Sequence, residues 1–81
     1  MENIKNDLIS ILKKYTFNKE VWEGFNEKSS IINDLKINSA RLVDIIIDIE
    51  EKYNIEITDE ELEELSCFGD IIKLVKRKLN D

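Results

Sequence analysis

An 81-residue chain with 18 acidic and 12 basic side chains, a formal charge of −6 and no histidine has room for one small hydrophobic core and no more. Its acidity repels phosphate backbones and anionic lipid, which argues against nucleic acid and membranes as partners and favours basic protein surfaces. Without an imidazole, Ser-His and Cys-His nucleophiles and most zinc sites are out of reach.

Proline is absent and glycine occurs only at Gly24 and Gly69, so helices are favoured over turns and disorder. A single all-α domain spanning residues 1–81 is expected, and a monomer. Cys67 is the lone cysteine; it cannot form an internal disulfide, which agrees with a reducing compartment. The start MENIKND lacks the basic and apolar regions of a signal peptide, and Asp44 and Asp48 interrupt the longest apolar run. A cytoplasmic protein with no membrane span is the expectation.

From Asn3 to Tyr15 the residues Ile4, Leu8, Ile11, Leu12 and Tyr15 follow the i, i+4, i+7, i+8 rhythm of an amphipathic helix, with Ile9 outside the stripe. Thr16 to Asn38 shows no sustained period, yet carries Phe17, Val21, Trp22, Phe25, Ile31, Ile32 and Leu35. A connection this long is unusual in a compact domain. Its apolar content predicts that Trp22, Phe25 and one or both of Ile31 and Ile32 tuck over the end of the bundle, with a short helical turn near Lys19 to Gly24. The small core has first claim on those rings over any ligand-stacking platform.

Ser39 to Tyr53 is the most strongly patterned stretch. At about 100° per residue, Leu42, Ile45, Ile46, Ile49 and Tyr53 share one core-facing arc, and Asp44, Asp48 and Glu51 fall opposite it. Val43 and Ile47, one turn apart, sit on the shoulder with Ala40 beyond them. Ser39 stands at the expected N-cap, and Asn54 is a natural stop. Ile55-Glu56-Ile57 alternates but has no partner strand, so it reads as an extended link.

Thr58 and Glu61 form an S/T-x-x-E capping box for a short third helix, Asp59 to about Leu65. Its run DEELEE lacks calcium-loop spacing and suits a helix's first turn. Ser66 is the expected cap of a last helix, from Cys67 or Phe68 to Leu79, with Phe68, Ile71, Ile72, Val75 and Leu79 on one side. Lys73, Lys76, Arg77 and Lys78 gather toward its C-terminal end, where cations are favoured. Cys67 has no base near it in sequence and reads as an inert thiol. A small hydrolase using Ser39 or Cys67 ranks far behind the other functions.

The order of elements, together with Asp34-Leu35-Lys36-Ile37-Asn38-Ser39, resembles the acyl carrier protein family, whose D-L-G-x-D-S segment matches that hexapeptide. The likeness continues without gaps through Val43, Asp44, Ile47, Glu50, Glu51, Tyr53 and Ile57-Thr58-Asp59-Glu60-Glu61. It implies a four-helix carrier bundle of three main helices and one short one, with a long first loop. It also implies that the serine matching Ser39 receives a 4′-phosphopantetheine arm from coenzyme A, whose thiol carries cargo as a thioester. A phosphopantetheinyl transferase and cargo-loading and cargo-processing synthase enzymes are the implied partners, and the chain itself needs no catalytic residue.

By the same resemblance the second helix is a docking surface, with Asp44, Asp48, Glu50 and Glu51 offering charge and Val43 and Ile47 apolar contact. Its first turn departs from the family: Asn38 replaces the aspartate before the serine, Ala40 replaces a bulky Leu or Met, and Arg41 brings a positive charge. These residues point to partners other than those of a housekeeping fatty-acid carrier, in a polyketide, nonribosomal-peptide or related pathway. A cavity for short acyl chains, lined by Ile46, Leu62, Ile71 and Val75, is expected by analogy. A carrier-like helical adaptor that never bears the arm is the competing function.

Overall fold

Helix α1 (Ile4–Lys13), α2 (Ser39–Tyr53), α3 (Asp59–Glu63) and α4 (Phe68–Asn80), with one turn of 3-10 helix at Lys19–Trp22, make up a computed structural model that describes residues 4–80. The expected helix start at Asn3 lies outside the described residues. Among those residues there is no strand, only one isolated antiparallel bridge between Ser30 and Cys67. The all-helical architecture expected from composition and periodicity is the one observed.

Three apolar stripes meet in one core. Leu8, Ile11 and Leu12 come from α1, Leu42, Ile45, Ile46 and Ile49 from α2, and Phe68, Ile71, Ile72, Leu74 and Val75 from α4, with α1 packed on both α2 and α4. Two tyrosines stitch α1 to α2: the Tyr15 hydroxyl donates to Asp48 at 2.6 Å and the Tyr53 hydroxyl to Asp7 at 3.1 Å. Because Asp7 meets the end of α2 and Tyr15 meets its middle, the two helices run antiparallel. On α4, Leu74 is buried and Leu79 is 43% exposed, the reverse of the expectation for Leu79. The helix's last turn projects past the core, so its apolar side meets water there.

The long connection does not behave as a linker. Ile31, Leu35 and Ile37 are buried in the core, Trp22 and Phe25 pack against it, and Ile32 is exposed. Backbone bonds pin the connection to the start of α4: Ile31 N–H to the Ser66 carbonyl, Phe68 N–H to Ser29, and Gly69 N–H to Glu27 at 2.7 Å. The Ser29 and Glu27 carbonyls satisfy amides that the first turn of α4 leaves without partners. A Cβ on Gly69 would stand 3.1 Å from the Glu27 carbonyl oxygen, so a larger residue there would press that carbonyl back by a few tenths of an ångström.

Ser66 does not cap α4 as expected. Its amide and hydroxyl, and the Cys67 amide, all donate to the Asp70 carboxylate. Those backbone donors hold the Asp70 carboxyl below its ordinary range. At α3 the expected capping box is present, with Thr58 accepting from Glu61 N–H and Glu61 accepting from Thr58 N–H. Glu61 also pairs with Lys78 at 2.8 Å and Arg77 at 3.4 Å. Chiefly through Lys78, its carboxyl is lowered to about 2, and this short helix is thereby tied to α4.

Candidate functional site

The segment Asp34 to Ser39 is built one residue at a time. The Asp34 carboxylate closes a turn by accepting the Ser30 amide at 2.7 Å. Leu35 and Ile37, each 2% exposed, are driven into the core, and each such burial contributes about 1.5–3 kcal/mol. Between them the chain must reverse without lifting either anchor, and Lys36 does this in the left-handed region at φ 60. Asn38, in extended conformation, accepts the Arg41 amide on its side-chain oxygen at 2.9 Å. Five residues thus fix the direction in which the next one leaves the core.

That next residue is Ser39, and it is not the N-cap. Asn38 performs the capping that the serine was expected to perform, which places Ser39 at the first position inside α2. Asn and Ser are near-equal caps, so composition could not separate them. The consequence for Ser39 is direct: it is exposed, and among the described residues none hydrogen-bonds its hydroxyl. The amides of Ser39 and Ala40 lie in the first turn, where no intrahelical carbonyl is available to them. An exposed primary hydroxyl beside unpaired helix-start amides suits an attached phosphodiester.

Left-handed backbone is costly for a residue with a Cβ. Lys36→Gly is therefore expected to stabilise the fold by up to about 1 kcal/mol, read as a higher urea midpoint with an unchanged slope.

The other residues singled out in α2 divide by geometry. Val43 and Ile47 are 46% and 45% exposed, so the apolar shoulder faces outward. Ala40 and Arg41 are exposed in the first turn, and the Arg41 guanidinium lies 3.5 Å from Asp44. A pair as open as this one contributes at most about 1 kcal/mol, but it dilutes the acidity of the helix front. Glu51 is exposed and makes no ion pair among the described residues. Asp48 and Glu50 have internal tasks: Asp48 accepts from Tyr15 and pairs with Lys14 at 3.2 Å, and Glu50 accepts the Ile57 amide at 2.8 Å. Helical position showed which side of α2 they occupy; it could not show that α1 and the segment after Asn54 come back to meet them.

These contacts set the ionisation of both tyrosines in the chain. The bond to Asp48, then burial, raises Tyr15 to about 12, and burial, then the bond to Asp7, raises Tyr53 to about 12. The same Tyr15 bond lowers Asp48. A phenol whose folded pKa exceeds its unfolded value of 10 stabilises the fold fully below pH 10, and that contribution is lost as pH rises toward 12. Phenolate absorbance is thus expected to stay low at pH 10 and to rise near 12 together with loss of helical circular dichroism. A midpoint at 10 in the folded protein would contradict both tyrosine bonds.

A helical bundle that holds one free hydroxyl at a helix start, on a rigid lead-in, has the form of a protein on which a prosthetic group is mounted. Residues 23–75 match the family model described as "Phosphopantetheine attachment site", a span that contains the whole lead-in and all of α2. Among curated relatives, the acyl carrier protein of Chlamydia caviae is 42% identical over 53 residues, covering 65% of this chain and 69% of its own. The acyl carrier protein of Coprothermobacter proteolyticus is 30% identical over 78 residues, covering 96% and 93%, and that of Wolinella succinogenes is 37% identical over 54 residues, covering 67% and 71%. The chain belongs to the acyl carrier protein family. Membership implies a 4′-phosphopantetheine group, and the Ser39 environment fits one.

Proposed function

We propose that this protein is a discrete, non-catalytic carrier that holds biosynthetic intermediates as thioesters on a 4′-phosphopantetheine arm attached to Ser39. The observation that carries this reading is the free, exposed Ser39 hydroxyl, released from capping duty by Asn38. When bound, the arm supplies the thiol on which cargo is held. The chain's own residues present the hydroxyl: Leu35 and Ile37 anchor the lead-in, Asn38 starts the helix, and the first-turn amides favour the phosphodiester charge.

Partner enzymes meet the open side of α2. Val43 and Ile47 supply apolar contact, Asp44 and Glu51 supply charge for basic grooves, and Asn38, Ala40 and Arg41 give the front its own recognition. Asp48 and Glu50 support that surface from within through Tyr15 and Ile57. Charges at such a rim set encounter rate and register more than affinity, which suits a protein that visits several enzymes. The uncharged cap and the Arg41–Asp44 pair favour a dedicated set of partners in polyketide, nonribosomal-peptide or related biosynthesis. An acyl chain sheltering among Ile46, Leu62, Ile71 and Val75 would enter a region where three of the four are buried.

Incubation with coenzyme A and a broad-specificity phosphopantetheinyl transferase, followed by intact mass measurement, tests the attachment. One added arm is expected, and an unmodified mass would overturn it. The mass of the protein isolated from its host, cargo included, tests the pathway: a common saturated fatty acyl chain would contradict a specialised one.

A further inference from the structure

The most exposed large apolar side chain lies away from α2. Phe17, just beyond α1, is 94% exposed, and with Lys13, Thr16, Asn18, Lys19 and Trp22 it lines a cleft of about 500 Å³. The wall opposite bulk solvent is firmly held. The Trp22 indole N–H donates to the Thr16 hydroxyl at 3.1 Å. Lys13 Nζ lies 5.6 Å from the indole centroid, and Phe25 packs edge-on at 4.7 Å. Phe25 in turn rests on the buried Phe68 ring at 4.9 Å. The indole is thus braced from the core outward, while Phe17 gains no burial from the fold.

Scattered exposed apolar residues are ordinary; a fully open phenyl sharing a cleft with a braced indole is a different arrangement. Its charge is also out of character. Both ionisable residues lining the cleft are lysines, in a chain of net charge −6, and Lys19 makes no ion pair among the described residues. We propose that this cleft docks an acidic polypeptide segment, which sets an aliphatic side chain against Phe17 and Trp22 and carboxylates against Lys13 and Lys19. Two cations beside aromatic rings also suit anionic lipid. A bilayer, however, presents its charge to a whole face of an acidic protein, whereas a short segment meets only the cleft. No residue of α2 lines the cleft, so an occupant here leaves the exposed side of that helix open. Basic partners on α2 and an acidic segment here could be held together. The inference does not depend on Ser39 or on its modification.

Trp22 is the only tryptophan, so its emission reports the cleft directly. The full chain is titrated with a short synthetic peptide of alternating Glu and Leu pairs, and with the same peptide carrying Lys for Glu. A saturable emission change is expected with the acidic peptide alone, weakened by salt and about tenfold weaker in Phe17→Ala and Lys19→Glu. Both positions are exposed, and unchanged circular dichroism will show that the variants fold. The proposal is overturned by no saturable change, by an equal response in Phe17→Ala, by phosphatidylglycerol vesicles giving the stronger response, or by self-association of the carrier accounting for the signal.

Discussion

Ser39→Ala is expected to abolish the coenzyme A-dependent mass gain completely while shifting stability by less than about 0.5 kcal/mol. The second half of that statement is the more discriminating one. Were Ser39 the N-cap, its hydroxyl would be satisfying a helix amide, and alanine would cost about 1 kcal/mol. In the structure the Arg41 amide is satisfied by Asn38, and the Ser39 hydroxyl has no bond to lose among the described residues. The cost should move one residue back: Asn38→Ala is expected to lower stability by about 1 kcal/mol and still accept the arm. Intact mass and urea denaturation on the two variants separate mounting from capping. Modification surviving in Ser39→Ala would refute the attachment site, and a large loss of stability there would refute the cap assignment.

The same pair of residues marks how far the sequence could be read. The C-terminal limit of α2 at Tyr53 was legible to the residue, because a dense apolar period ends at Asn54, which adopts left-handed backbone at φ 56. The exchange of roles between Asn38 and Ser39 was not legible, because two good caps in succession give no local reason to prefer one. The connection from Thr16 to Asn38 was harder for a different reason. Its apolar residues announced that it packs, but its partners are carbonyls and amides at Glu27, Ser29, Ile31 and Ser66, and a backbone group has no sequence signature. Asp48 and Glu50 posed a related difficulty. A carboxylate on the polar side of a helix reads as solvated until another element brings a hydroxyl or an amide to it.

Phe68→Ala is expected to cost about 3–5 kcal/mol, a large share of what a domain of this size holds in total, about 4–12 kcal/mol. Phe68 is fully buried and touches both halves of the fold. Its ring supports Phe25 and, through it, Trp22, and its amide bonds the Ser29 carbonyl. Alanine keeps the amide bond and removes the ring, so the first consequence is a cavity under the aromatic pair. The melting temperature should fall by about 12 °C or more, and Trp22 emission should shift toward that of a solvated indole. A Leu at the same position, keeping most of the apolar volume, should lose far less. The effect should reach the site, because the stretch from Ser29 through Ile37 that Phe68 helps to hold is the one that carries Leu35, Ile37 and the cap. At a temperature where Phe68→Ala remains mostly folded, slower arm transfer to an untouched Ser39 would show that the rigidity of the lead-in is part of what the transferase recognises. Transfer at the rate of the original chain would show that a free hydroxyl on a capped helix is sufficient.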